Sequence, residues 1–153
     1  MSTLELKIPP PVVALLVCAT MWAVSHAGPS IDPALIPRVA AFLGIALTGG
    51  VIAFLGAVEL KRAKTTVNPF KPQDSSALVT SGIYRFTRNP MYVGLAFVVL
   101  GWAAFLGSAW ALAGPALFVL YINRFQIGPE EAFLAAKFET PYAEYRSHVR
   151  RWL

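Results

Sequence analysis

Long apolar runs alternate with short polar segments along the chain. The first run covers about residues 11–27 and the second about residues 37–60, and each approaches the ~20 residues that a helix needs to cross a bilayer. Residues 91–122 form a further apolar stretch of 32 residues, which as one helix would extend roughly 48 Å and exceed a single span. Gly107-Ser108 or Gly114-Pro115 could break it, and we favour a tight hairpin at Gly107-Ser108. The pattern predicts an all-α integral-membrane bundle of about four transmembrane helices that includes this helical hairpin.

Basic residues lie mainly on one side of these predicted spans. Only Arg38 falls in the loop that would face the opposite side. Lys7 precedes the first run, and the remaining basic residues form two groups, one between the second and third runs and one after the fourth: Lys61, Arg62, Lys64, Lys71, Arg85 and Arg88, then Arg124, Lys137, Arg146, Arg150 and Arg151. Loops rich in Lys and Arg stay in the cytoplasm. We therefore expect a multi-pass protein of the inner (plasma) membrane with both termini cytoplasmic.

The composition agrees with a membrane location. Of 153 residues, 56% are hydrophobic and 14% are charged, whereas soluble domains carry roughly 25% charged residues. The length indicates one domain over residues 1–153. The net charge of +5 is spread between apolar runs, which favours a membrane surface and makes nucleic-acid binding unexpected. The single Cys18, with His26 and His148, offers neither a disulfide nor a cluster of metal ligands.

Two features of the first apolar runs leave alternatives open. Ser25-His26-Ala27 loosely resembles a signal-peptide cleavage site, but the run before it is long, so we favour an uncleaved first span. Gly49, Ala53 and Ala57 recur every four residues in the second run, a spacing that lets helices approach closely in lipid. Packing within one chain is the simpler interpretation, and a homodimer is the alternative.

The polar segment before the third run is one candidate for chemistry. Within residues 65–92, Pro69, Pro72 and Gly82 oppose a helix, yet the segment carries enough apolar residues to indicate an ordered loop on the membrane face. Pro90 suits the first turn of the next helix. Asn89 would either cap that helix or hold a polar ligand, and Tyr92 would lie either in the interfacial aromatic belt or in the site.

The C-terminal segment is the other candidate. Pro129 followed by Glu130 and Glu131 fits the start of a helix, where acidic residues interact favourably with the macrodipole. Apolar residues then recur mostly at three- and four-residue steps, which predicts amphipathic interfacial helices with a break near Thr140-Pro141. The two glutamates are either a solvated helix terminus or part of a site at the cytoplasmic interface.

The two polar segments together resemble a known family. LVTSGIYRFTRNPMYVG, followed after the hairpin by NRFQIGPEEAFLAAKFETPYAEYRSHVRRWL, resembles the isoprenylcysteine carboxyl methyltransferases, their bacterial relatives and the wider group of integral-membrane phospholipid methyltransferases. The resemblance covers about residues 65–153, with both motifs in the expected order. It implies methyl transfer from S-adenosylmethionine to a lipophilic small molecule or membrane lipid. Residues 1–60 would then form two N-terminal spans, and residues 61–153 the cofactor-binding catalytic part.

The resemblance also implies a cofactor pocket between the loop, the hairpin and the C-terminal helices. The residues expected to approach S-adenosylmethionine are Leu78, Val79, Gly82, Tyr84, Asn89, Pro90, Tyr92, Glu130 and Glu131. The eukaryotic members usually carry His at the position of Asn89. An amide cannot titrate near neutral pH, so we expect Asn89 to hydrogen-bond the cofactor rather than to transfer a proton.

The candidate catalytic residues are Arg124, Glu131 and Asn89. Arg124 would orient an anionic substrate such as a carboxylate, because a guanidinium offers parallel hydrogen bonds, or it would be an interfacial anchor. Glu130 or Glu131 would hold polar groups of the cofactor, or would act as a base if the acceptor is an amine or thiol.

Two other functions fit the same sequence. An NADPH-dependent membrane reductase of the sterol-reductase type shares a similar C-terminal shape and an Arg-x-Pro-x-Tyr-like motif. A non-catalytic structural subunit of the membrane would keep only the fold. Cofactor binding discriminates among the three.

Overall fold

A computed structural model describes residues 5–27, 29, 34–65 and 76–153. Within these ranges the chain forms helices and no β-strand, which confirms the predicted all-α class. The α-helices are α1 (Pro10–Ser25), α2 (Leu35–Arg62), α3 (Pro90–Leu106), α4 (Ala113–Ile122) and α5 (Gly128–His148), with 3-10 turns at Gly82–Arg85 and Ala109–Leu112 and a π-turn at Asn123–Ile127. Residues 66–75 of the predicted ordered loop, including Lys71, lie outside the described part.

The helix boundaries follow the apolar runs closely. α1 and α2 begin and end within two residues of the predicted bounds, and α3 begins at Pro90, whose ring suits a first helical turn. α3 ends at Gly107, which has a φ of 59°. This left-handed conformation favours glycine and stops the helix. The predicted hairpin at Gly107-Ser108 is confirmed.

α2 and α3 pack antiparallel through small residues. Gly49 lies so close to Gly94 that a Cβ at Gly49 would fall 2.5 Å from the Gly94 carbonyl oxygen. Such contact between backbones requires glycine on both helices. The small-residue spacing of α2 is therefore used within the chain, and a homodimer stays a prediction. The same register pairs Gly56 with Pro90 and Phe42 with Gly101.

α1 and α4 complete a bundle whose helices run between the same two ends. Trp102 Nε1 in α3 donates a hydrogen bond to the Cys18 carbonyl of α1 at 3.0 Å, and Met21 of α1 packs over Gly114 of α4. We call the end where α1 and α3 begin and α2 and α4 finish the basic end, because Lys61, Arg62, Arg85 and Arg88 lie there. At the opposite end Arg38 donates hydrogen bonds to the last carbonyls of α3.

The apolar surface of the bundle bears on the membrane prediction. α2 is the one described helix that is both long and apolar enough to cross a bilayer, whereas α1 and α3 are apolar but have 16 and 17 residues. They would extend roughly 24 and 26 Å, against ~30 Å for a hydrocarbon core. Large apolar side chains face outward on each of the described α-helices, among them Leu15, Leu47, Phe54 and Leu120. The crossing of the membrane by all four helices stays a prediction.

α4 continues into α5 through the π-turn, and α5 is bent near its middle. Glu139 has a φ of 42° and a ψ of −117°, so the helical hydrogen bonding is interrupted just before Pro141. This confirms the predicted break near Thr140-Pro141. The bend returns the C-terminal part of α5 toward the basic end, where the cavity described below lies.

Candidate active site

A cavity of about 370 Å³ opens at the basic end of the bundle. This volume lies within the ~300–1,000 Å³ typical of small-molecule sites. Its apolar lining residues include Leu60, Met91, Leu95 and Leu134, and its polar lining residues are Thr65, Arg88, Asn89, Glu130, Glu131 and the tyrosines Tyr84, Tyr92, Tyr142 and Tyr145. Several helices and the segment 77–79 therefore share one cavity, which is lined by both apolar and charged side chains.

Tyr92 and Glu130 join the two polar segments across this cavity. The Tyr92 hydroxyl, in the first turn of α3, donates a hydrogen bond to Glu130 Oε1 in the first turn of α5 at 2.6 Å. Burial raises the pKa of the Glu130 carboxyl from 4.5 to about 7, the Tyr92 hydrogen bond opposes this rise, and the charge of Glu131 adds to it. Glu130 can therefore hold or release a proton near neutral pH.

Glu131 is ionically paired with two arginines. Arg151 donates bidentate hydrogen bonds to it, from Nη2 to Oε2 at 2.6 Å and from Nε to Oε1 at 3.1 Å. Arg88 Nη2 lies 3.0 Å from Glu131 Oε1. Charge-assisted pairs of this geometry are among the stronger polar contacts in proteins. They hold the carboxylate of Glu131 in one orientation against the cavity wall.

The C-terminal segment after α5 is fastened to the loop before α3. Arg88 N–H donates to the Arg150 carbonyl at 3.0 Å, and Asn89 Nδ2 donates to the Arg151 carbonyl at 2.9 Å. Asn89 occupies the N-cap position of α3, but its side chain makes no capping hydrogen bond to that helix. Its amide instead fixes the backbone that carries Arg151. The two sequence motifs are thus in direct contact.

The 3-10 turn at Gly82–Arg85 shapes the wall on the α2 side. Gly82 has a φ of 57°, and a Cβ there would lie 2.6 Å from the carboxyl carbon of Glu59. Ser81 Oγ donates a hydrogen bond to Glu59 at 2.8 Å. Glycine is needed here for both the left-handed conformation and the close packing. The turn places the buried Tyr84, whose carbonyl accepts a hydrogen bond from the Tyr145 hydroxyl at 2.7 Å.

Most of the residues predicted to approach a cofactor line this cavity. Those that do so are Leu78, Val79, Tyr84, Asn89, Pro90, Tyr92, Glu130 and Glu131. Gly82 is not among the lining residues and acts through the turn. Arg124 is not brought to the cavity either. It forms an exposed ion pair with Glu5 at 3.2 Å, because the π-turn directs it toward the N-terminal segment.

Sequence reasoning missed several residues at the charged side of the cavity. Arg88 directly precedes Asn89 and Pro90, but its only signal in the sequence is that of a basic residue in a predicted cytoplasmic loop. Tyr142 and Tyr145 belong to the apolar residues that recur in the C-terminal segment, and that spacing predicts only the apolar face of an interfacial helix. Arg151, close to the chain end, gave no spacing signal, since its contact with Glu131 depends on the bend in α5.

Comparisons with known proteins agree with this geometry. Residues 37–141 match the phospholipid methyltransferase family. A 63-residue stretch is 44% identical to an uncharacterized protein of Haemophilus influenzae, covering 41% of this chain and all of that protein. The protein-S-isoprenylcysteine O-methyltransferase of Schizosaccharomyces pombe is 31% identical over 110 residues, which are 70% of this chain and 45% of that enzyme.

A plant relative extends the same pattern. A probable protein-S-isoprenylcysteine O-methyltransferase of Oryza sativa is 34% identical over 117 residues, covering 72% of this chain and 58% of the relative. The chain thus spans about half the length of the curated methyltransferases it matches. No solved structure matches it. With more than half of its residues in the family match, and with the Tyr92 and Glu130 segments meeting at one cavity, the chain belongs to the phospholipid methyltransferase family.

Proposed function

We propose that the protein is an integral-membrane methyltransferase that uses S-adenosylmethionine and acts on a lipophilic substrate, with a carboxylate as the methyl acceptor. The family match supports methyl transfer and favours it over the reductase that also fitted the sequence. The named relatives act on an S-isoprenylcysteine by O-methylation, which supports a lipid-like thioether carboxylic acid as the substrate class for this chain.

One observation carries the proposal. The 2.6 Å hydrogen bond between Tyr92 and Glu130 joins segments 38 residues apart in the sequence, and it lies at a cavity of ligand size. A structural subunit would need no such arrangement, because burying a carboxyl group beside an open cavity costs free energy. Costly placement of ionisable groups in a cleft is typical of functional sites.

The cavity fits the chemistry of S-adenosylmethionine. That cofactor has an apolar aromatic base, ribose hydroxyls, a sulfonium cation, an amine and a carboxylate, and it supplies an electrophilic methyl group on sulfur when bound. The apolar wall at Leu78, Met91 and Leu134 suits the base. The carboxyl groups of Glu130 and Glu131 suit hydroxyl, amine or sulfonium groups, since anions favour nearby cations.

In such a reaction the residues of this chain would position the reactants and would not need to transfer a proton. Methylation of a carboxylate needs no general base, because the acceptor is ionised at neutral pH. Glu130 and Tyr92 would position one reactant, and Asn89 would hold in place the backbone of Arg151, which pairs with Glu131. Alignment of two reactants and exclusion of water together account for a large part of such rate enhancements. Arg124 lies outside the cavity, so this mechanism assigns it no contact with the substrate.

The arrangement in the membrane follows from the basic end. We propose that the four helices α1–α4 cross the inner membrane, with the basic end and both termini in the cytoplasm. The cofactor would then enter from the cytoplasm. A lipophilic substrate would reach the same cavity sideways from the bilayer, where the walls are apolar.

Ligand titration tests the proposal. The purified chain in detergent is titrated by calorimetry with S-adenosylhomocysteine and, separately, with NADPH, and a Glu130→Ala variant is titrated alongside. We expect the wild type to bind S-adenosylhomocysteine and not NADPH, and the variant to bind S-adenosylhomocysteine more weakly. Labelled S-adenosylmethionine with a total lipid extract then identifies the acceptor. Binding of NADPH alone would establish the reductase instead, and binding of neither by folded protein would support a structural role.

A further inference from the structure

The guanidinium of Arg88 has more hydrogen-bond donors than the protein satisfies. Its side chain is 9% exposed and pairs with Glu131 through Nη2. Its Nε and Nη1 are buried and have no partner among the described residues. These two nitrogens carry three of the five N–H donors of a guanidinium. A buried donor without a partner costs free energy and calls for an explanation.

The position of Arg88 suggests the explanation, because the residue lines the cavity. Its backbone is fixed by the 3.0 Å hydrogen bond from its own N–H to the Arg150 carbonyl. The pair with Glu131 holds one edge of the guanidinium. The rest of the group is therefore held at the wall of a cavity of about 370 Å³ with donors to spare.

The charges around Arg88 are unequal. Arg88 and Arg151 share the single carboxylate of Glu131, so two positive charges face one negative charge. Tyr142 and Tyr145 also lie near Arg88 and have hydroxyls that are neutral at pH 7, while Glu130 on the same cavity wall has a carboxyl that is partly protonated near neutral pH. A ligand that brings a negative charge would balance this group, since a buried cation is stable only when it is paired.

We infer that Arg88 forms an anion subsite that takes a carboxylate of a bound ligand. This inference rests on the proposed function and deepens it. The carboxylate can come from the amino-acid part of the cofactor or from the methyl acceptor, and both are planar groups that a guanidinium binds well. The subsite would take over the role that the sequence assigned to Arg124.

Two matched ligand pairs separate the sources. The cofactor pair is S-adenosylhomocysteine and its decarboxylated analogue, which keeps the amine and lacks only the carboxylate. The acceptor pair is S-farnesylcysteine and its carboxamide. Dissociation constants are measured by calorimetry on the full chain in detergent, for the wild type and for Arg88→Lys. Lysine keeps the charge beside Glu131, and so the fold, but lacks the Nε donor and the planar group.

The expected result is a loss of carboxylate preference. Hydrogen bonds to charged groups contribute about 1.5–3 kcal/mol, so the wild type should prefer the carboxylate form of one pair by roughly 10- to 100-fold. Arg88→Lys should reduce that preference to a few-fold while the carboxylate-free partner binds as before. Arg85→Lys, on the exposed turn outside the cavity, is the matched control and should keep the full preference.

Each outcome decides the matter. Loss of preference in the cofactor pair assigns the subsite to the amino-acid carboxylate, and loss in the acceptor pair assigns it to the substrate. If S-adenosylhomocysteine binds but Arg88→Lys leaves the preference of both pairs unchanged, the subsite is overturned and the methyltransferase proposal survives. If the folded wild type binds no member of either pair, the proposed function and the subsite fail together.

Discussion

At the scale of single residues, the raised pKa of Glu130 predicts how the stability of the protein depends on pH. Its carboxyl has a pKa of about 7, raised from 4.5 chiefly by burial. Between these values the folded protein holds a proton that the unfolded chain has released. The stabilisation from the neutral acid is therefore fully present below about pH 4.5 and is lost as the pH rises through 7. The wild type should lose thermal stability between pH 5 and pH 8.

Replacement of Glu130 with Gln removes this titration while keeping the shape of the side chain. Thermal unfolding in detergent, followed by fluorescence at pH 5 and pH 8, should show a smaller fall for Glu130→Gln than for the wild type. Glu144→Gln, at an exposed position of α5, is the control. Parallel pH curves for the wild type and Glu130→Gln would show that Glu130 titrates at its ordinary value.

A substitution at Glu131 measures how much its ion pairs with two arginines stabilise the fold. Its carboxylate is about nine-tenths buried and faces Arg88 and Arg151. Removing one partner of a buried pair is costly because it leaves charge uncompensated. Glu131→Gln should lower the free energy of unfolding by on the order of 3 kcal/mol, measured by denaturant titration in mixed micelles. An effect as small as that of Glu144→Gln would mean that solvent already screens the pairs.

Some of the residues at the cavity could be predicted from the sequence, and others could not. Tyr92, Glu130 and Glu131 were selected through a family resemblance, and the structure brings them to one cavity. Arg88 was missed because a basic residue beside an apolar run reads first as an orientation signal. Arg124 was predicted to be catalytic, but it lies in a π-turn outside the cavity, and that turn could not be predicted from the sequence.

At the scale of elements, the contact between α2 and α3 decides the shape of the basic end. Gly49 and Gly94 allow the two backbones to touch, and a Cβ at Gly49 would also fall 2.6 Å from Phe97 Cβ. Gly49→Ala must therefore separate the helices. Because α2 and α3 carry walls of the cavity, the variant should unfold at a lower temperature. For an overpacking cost of ~1–3 kcal/mol, it should also bind cofactor roughly 5- to 150-fold more weakly.

The neighbouring Gly50 provides the control for Gly49→Ala. A Cβ at Gly50 would meet nothing within 4 Å. Gly50→Ala should leave binding unchanged and should not destabilise α2, because alanine favours a helix by up to about 1 kcal/mol relative to glycine. Thermal unfolding and calorimetry of both variants make the comparison. Equal effects of the two substitutions would contradict the close packing described here.

Elements were predicted well where local chemistry dictates them. Gly107 ends α3 because its left-handed conformation favours glycine, and the bend of α5 lies one residue from the predicted Thr140-Pro141. The π-turn at Asn123–Ile127 was not predicted, since an unbroken run of helix-compatible residues does not show where one extra residue enters a turn. That turn sets the direction of α5 and hence the meeting of Glu130 with Tyr92.

At the scale of the whole molecule, the basic end and its opposite differ in charge and in what they hold. The cavity and most of the described basic side chains lie at one end, whereas Arg38 is the basic residue that caps α3 at the other. Periodicity and charge placement could predict this polarity. The cavity itself could not be predicted in this way, because it depends on the angles at which five helices meet, and those are set by side-chain packing rather than by hydropathy.

The polarity makes the topology testable with cysteine labelling. Cys18 is the single native cysteine, so Cys18→Ala gives a background without thiols. Into it we introduce Arg85→Cys and Ser147→Cys at the basic end and Ala109→Cys after the hairpin, all at exposed positions. If the four helices span the membrane, a membrane-impermeant maleimide should label Arg85→Cys and Ser147→Cys only in inside-out vesicles, and Ala109→Cys only in right-side-out ones. Labelling of all three introduced cysteines from the same side of the membrane would mean that the hairpin of α3 and α4 does not cross the bilayer. The cavity would then open at the surface of a shallowly embedded bundle, where a lipophilic substrate would have to leave the membrane before it could be methylated.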